Sequence, residues 1–96
     1  MKTLYSTKAT VTGGRAGSVS LSDNDLTINM VPPGSGKSGN NPEQLFAMGY
    51  SACFDSALGA VKQMEKAKFD STTSIEVDLL QGEGHDYKLA AKIHEI

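Results

Sequence analysis

The 96-residue chain predicts an α+β domain of order β-β-β-α-β-β. Three observations carry this. Short alternating segments rich in Val, Thr, Ile and Tyr fill both ends of the chain, and period-2 alternation is the mark of a pleated strand. One uninterrupted helical run occupies the middle. The strands are grouped on either side of that helix instead of alternating with helices, which argues against a parallel α/β sheet.

The first strand is read over Leu4–Thr12, where Tyr5, Thr7, Ala9 and Val11 alternate with Leu4, Ser6, Lys8, Thr10 and Thr12. Such a β-branched and aromatic mix suits a half-buried pleat. Gly13-Gly14-Arg15-Ala16-Gly17 breaks it as a turn. Ser18–Leu21 is a second strand, Ser22-Asp23-Asn24-Asp25 an Asx-type turn, and Leu26–Val31 a third strand. These three form an antiparallel meander.

Pro32 to Asn40 has the composition of a surface loop. It contains Gly36-Lys37-Ser38, the end of a phosphate-loop motif, but that motif needs a glycine five residues before its second one. Val31 stands there, and the following helix starts too late to cradle a phosphate.

Asn41-Pro42-Glu43-Gln44 is a helix start. Asn41 suits the cap, Pro42 the first helical position, and Gln44 can close a capping box. Glu43 lies where the dipole favours an acid. The helix then runs through Val61 with apolar or small residues on nearly every face, which predicts a buried helix. Its small residues, among them Ala47, Gly49, Ala52, Ala57 and Ala60, allow close approach of a second backbone. It turns polar from Lys62 and is expected to end near Phe69. Ile75–Leu80 and Tyr87–His94 are two strands joined by a turn at Gly82–Asp86.

Composition excludes several functions. With 9 basic and 11 acidic residues, there is no electrostatic footprint for nucleic acid. No run approaches the roughly 20 apolar residues of a membrane span, and the first residues lack the apolar stretch of a signal peptide. A soluble cytoplasmic protein is expected. One cysteine forbids an internal disulfide and a four-cysteine zinc site. His85 and His94 read as surface residues without partners at metal spacing, so no metal is expected.

Cys53 is the only thiol. Its place on an apolar helix fits a core cysteine. A reactive cysteine needs a cation to favour the thiolate. The helix dipole does not serve, because Cys53 lies about 18 Å beyond Asn41 at 1.5 Å per residue. Arg15, the single arginine, sits in a glycine turn with its long side chain free to reach. Glu43 could hold it by a bidentate pair. Glu43 and Cys53 are about 80° apart around the helix and about 15 Å apart along it. An arginine must therefore bridge the gap, or a second subunit must supply part of the site.

Gly13-Gly14-Arg15-x-Gly17 together with Asn41-Pro42-Glu43-Gln44-Leu45-Phe46-Ala47-x-Gly49-Tyr50-Ser51-Ala52-Cys53-Phe54 resembles the organic hydroperoxide resistance branch of the OsmC-like superfamily. The resemblance is close over residues 4–61 and looser beyond. It implies an intertwined homodimer with shared sites and a thiol peroxidase that reduces organic hydroperoxides to alcohols in the oxidative stress response. Cys53 matches the peroxidatic cysteine, Arg15 the arginine that activates it, and Glu43 the acid that positions the arginine. Phe46, Met48, Tyr50 and Phe54 are the expected substrate pocket. No bound cofactor is implied.

One departure matters. Residues 1–96 read as one domain of that type without the family's further helix, second (resolving) cysteine and closing strand. Turnover would then need an external thiol such as a lipoyl or other dithiol. The alternative is a non-catalytic or degenerate dimeric module.

Overall fold

The computed structural model describes residues 1–66, 71–84 and 86–95. The elements follow the expected order: β1 (Ala9–Thr12), a single 3-10 turn (Gly14–Ala16), β2 (Ser18–Leu21), β3 (Thr27–Asn29), α1 (Pro42–Met64), β4 (Thr73–Gln81) and β5 (Tyr87–Glu95). They divide into two units, residues 1–42 and 43–96.

In the first unit β1, β2 and β3 form the antiparallel meander. Ala9 faces Leu21, Thr12 faces Ser18, and Ser18 faces Asn29. β1 is shorter than its alternation suggests. Its pairing needs a partner, and β2 ends opposite Ala9. Only Lys8 extends the ladder, accepting from the Ser22 amide at 2.8 Å. Leu4–Thr7 lie outside the strand, although Tyr5 and Thr7 donate hydroxyl hydrogen bonds to the Asp23 carboxylate. β3 likewise stops at Asn29, and Met30 bridges to Asn40 instead.

In the second unit β4 and β5 pair over nine positions, with Ile75 opposite Ile93, Val77 opposite Ala91 and Leu79 opposite Leu89. These three pairs share one face. On the other face Lys92 lies 3.6 Å from Glu76 and 3.9 Å from Asp78. The turn closes through the Gly82 amide donating to the Asp86 carbonyl at 2.7 Å. His85 and the expected helix end at Phe69 lie outside the described residues. His94 is exposed on β5.

Helix α1 begins where the capping signals place it. Its expected burial is corrected, because no residue of the helix is buried in this chain. The physical reason lies in what covers it. Ala47, Ser51, Phe54, Leu58 and Lys62 form a half-buried stripe at helical spacing. Along that side the Thr73 hydroxyl lies 2.8 Å from an Asp55 oxygen, and Lys62 donates to Ser71. These two contacts lie on the second half of the helix, and no described element packs on it closely enough to bury a residue. Met30, at 5% exposure, is the only buried apolar residue among those described.

Candidate functional site

Arg15 is the middle residue of the 3-10 turn between β1 and β2. The turn is set by Gly13 in the left-handed region (φ 85°), by the Ala16 amide donating to the Gly13 carbonyl, and by the Gly17 amide donating to the Gly14 carbonyl, both at 3.2 Å. A left-handed residue at the entry favours glycine. Gly17 then returns the chain so tightly to β1 that a Cβ there would lie 1.7 Å from the Thr12 carbonyl oxygen. The local sequence therefore fixes the backbone from which the arginine projects.

Glu43 and Cys53 both lie on α1, Glu43 in its first turn. Ten helical positions put them about 80° apart around the axis, so the helix does not bring these two side chains to one point. Arg15 and Glu43 are each engaged by a neighbouring group. Arg15 and Cys53 belong to different units.

Cys53 is exposed, which corrects the core-cysteine placement. It stands on a second stripe of α1, about 100° around the axis from the half-buried one. That stripe reads Phe46, Tyr50, Cys53, Ala57, Val61 and Met64, every member exposed. Phe46 and Tyr50 meet edge to face with ring centroids 5.7 Å apart and planes at 74°. That is a favourable aromatic geometry. Of the four expected pocket residues, Phe46 and Tyr50 share the face of Cys53. Phe54 sits about 100° away at the margin, and Met48 lies about 140° away. No cluster of His, Cys, Asp and Glu able to hold a metal occurs among the described residues. No helix among them is long and apolar enough to cross a membrane.

A groove that the sequence reading did not single out lies in the first unit, between the Arg15 turn and the 32–40 loop. Its sequence signal was the incomplete Gly36-Lys37-Ser38 motif.

The meander, the glycine-framed arginine and the cysteine-bearing helix define a class, and the comparisons with known proteins agree with it. Residues 34–96 match the OsmC-like protein family, and the chain belongs to that family. It is similar to the organic hydroperoxide resistance protein OhrA of Bacillus subtilis, 38% identical over 94% of this chain and 68% of that protein. It is also similar to the organic hydroperoxide resistance protein of Xanthomonas axonopodis pv. citri, 46% identical over 78% of this chain and 56% of that protein. Among solved structures, OhrB of Bacillus subtilis superposes with a TM-score of 0.85 at 37% identity, covering 95% of this chain and 70% of that one. The chain thus spans 56–68% of the length of these two curated relatives.

Proposed function

We propose that this protein is a cysteine-based peroxidase that reduces organic hydroperoxides to alcohols, acting as a homodimer with an external thiol reductant in a reducing, cytoplasmic setting. The observation that carries the reading is the placement of Cys53, exposed on an apolar helix stripe beside the paired rings of Phe46 and Tyr50. The names of the relatives, all organic hydroperoxide resistance proteins, support it.

In this reading the Cys53 thiolate attacks the terminal oxygen of R–O–O–H. The O–O bond breaks, sulfur is oxidised by two electrons to the sulfenic acid, and the departing alkoxide takes a proton to become the alcohol. Arg15 supplies the positive charge that favours the thiolate and the developing alkoxide. Glu43 holds the guanidinium by paired hydrogen bonds. Phe46 and Tyr50, with Phe54 at the margin, receive the organic group. In this reading the sulfenic acid is reduced by a dithiol from outside, lipoyl or similar. Its first sulfur displaces water, and its second releases Cys53.

The dimer is supported by the uncovered stripe. Phe46, Val61 and Met64 are 44%, 51% and 82% exposed. Burying such side chains stabilises by roughly 1.5–3 kcal/mol each when complete. The proposal treats residues 1–96 as one domain of the family.

Exposure of the protein to one equivalent of cumene hydroperoxide tests the reading. Intact-mass analysis should show one oxygen gained at Cys53 much faster than on free cysteine. Arg15→Ala should slow that step by about a hundredfold or more, the scale of losing one charge-stabilising group. Oxidation no faster than free cysteine would remove the peroxidase reading and leave a non-catalytic dimeric module.

A further inference from the structure

The groove in the first unit has a volume of about 550 Å³, within the range of small-molecule sites. It opens at the end of the meander where Thr12, Ser18 and Asn29 form one cross-strand row. Met30, Val31 and Pro32 give it an apolar wall, and Lys37 is the one charged residue on its lining.

The charge distribution favours an anion. Residues 1–42 carry Lys2, Lys8, Arg15 and Lys37 against Asp23 and Asp25, but Lys8 lies beside Ser22 at the far end of the sheet and Arg15 is engaged by another group, so the charge at the groove is that of Lys37. Both acids lie in the β2–β3 turn, at the other end of the sheet. Ser18 and Asp23 are separated by five residues, or roughly 16 Å of extended chain. That exceeds a Debye length of about 8–10 Å at physiological salt. Asp23 is in addition engaged by Tyr5 and Thr7. No acid offsets Lys37 on the groove lining.

The loop that presents Lys37 is held by its own backbone. Its base is closed by the Asn40 amide donating to the Asn29 carbonyl at 2.9 Å and the Val31 amide donating to the Asn40 carbonyl at 3.0 Å. Its tip is shaped by the Ser35 amide donating to the Pro32 carbonyl and the Lys37 amide donating to the Ser35 hydroxyl, both at 3.2 Å. A ligand that binds here has little loop left to order.

We propose that this groove is a binding site for an amphipathic carboxylate, with the carboxylate at Lys37 and an alkyl or aryl tail along Met30, Val31 and Pro32. A single ammonium neutralises a monoanion. Ser18, Ser38 and Asn29 also line the groove, and their hydroxyl and amide groups are of the kind that donates to a carboxylate. A phosphate, with its larger charge, fits less well. The helix that would cradle it starts at Pro42, five residues past the lysine, and the Arg15 side chain does not line the groove. The proposal is independent of the chemistry at Cys53.

The test uses the full chain carrying Cys53→Ser, so that thiol chemistry plays no part. It is titrated with octanoate, 1-octanol and inorganic phosphate while backbone amide resonances are followed. Octanoate should saturate and move Thr12, Ala16, Met30 and Val31. Lys37→Gln should weaken it by about fivefold or more, and Lys37→Arg should hold it within about twofold, as expected for a charge-assisted contact. 1-Octanol should bind at least about fivefold more weakly than octanoate. Lys37 is an exposed loop residue, and unchanged β1–β2 resonances will show that its variants are folded. The proposal is overturned if Lys37→Gln binds octanoate as wild type does. It is also overturned if the shifts fall only on α1, or if phosphate saturates the same residues as tightly as octanoate.

Discussion

Replacing Gly17 by alanine should be the most damaging single-methyl change in the first unit. The added carbon would stand 1.7 Å from the Thr12 oxygen, 2.6 Å from the Thr12 carbonyl carbon and 2.7 Å from the Gly13 Cα. All three are backbone atoms, so no rotamer relieves them. Contact at ordinary separation requires a movement of over 1 Å, which opens the Thr12–Ser18 pair. It also opens the hydrogen bond from the Met30 amide to the Gly17 carbonyl, 2.8 Å long. Two or three ladder bonds at about 1 kcal/mol each, less the 0.4–1 kcal/mol that alanine returns by stiffening the unfolded chain, leave about 2 kcal/mol lost. Gly14→Ala is the control. Gly14 has φ 57° with nothing within 4 Å of a Cβ, so only the left-handed cost of about 1–2 kcal/mol applies, with the same partial return. Urea denaturation of both variants at one protein concentration reads the difference from the midpoints. If Gly17→Ala is no less stable than Gly14→Ala, the close approach described here does not constrain the Arg15 turn.

Other outcomes follow from the same geometry. The Tyr5 hydroxyl, and next the Thr7 hydroxyl, hold the Asp23 carboxyl below its usual range. A depressed carboxylate contributes stability above the ordinary carboxylate pKa of about 4 and loses it as pH falls through the lowered value. Tyr5→Phe should therefore move the Asp23 midpoint upward in an NMR titration, and an unmoved midpoint would contradict the contact. Lys92→Ala should change stability by less than about 0.5 kcal/mol, because Lys92 and Glu76 are 64% and 57% exposed and such pairs are weak. Thr73→Val should cost about 1 kcal/mol through loss of the hydroxyl between Asp55 and Glu95. Val61→Lys separates a covered stripe from an exposed one. On an exposed stripe it is neutral within about 0.5 kcal/mol. In the proposed dimer it shifts sedimentation toward the monomer and lowers a midpoint that otherwise rises with protein concentration.

The order of elements was legible because its signals are local. Asn41-Pro42-Glu43 marks the helix start, alternation marks the strands, and glycines mark the turns. Strand length was not legible, since a strand lasts only as long as its partner. Leu4–Thr7 alternate well and still fall outside β1. Burial of α1 was misjudged for a related reason. A helix apolar on every side signals that something covers it, and composition does not say whether the cover comes from the same chain. The residues of the candidate site could be named from their motif and spacing. Arg15 and Cys53 fall in different units, and helix arithmetic carries no information from one to the other. The carboxylate groove was least legible, because it depends on a loop closing back on Asn29 and Val31, which no periodicity encodes.

The β4–β5 hairpin has a practical consequence. Each strand is nine residues long and, among the described residues, pairs only with the other. Among the described residues neither outer edge is paired with a further strand, and one face of the hairpin is apolar, with Ile75, Val77 and Ile93. Long unprotected edges are templates for strand addition by other molecules. Storage at high concentration should favour ordered aggregates seeded at this hairpin. A proline at an outward-facing amide of β5 would be the first change to make when preparing the protein for crystals or spectroscopy.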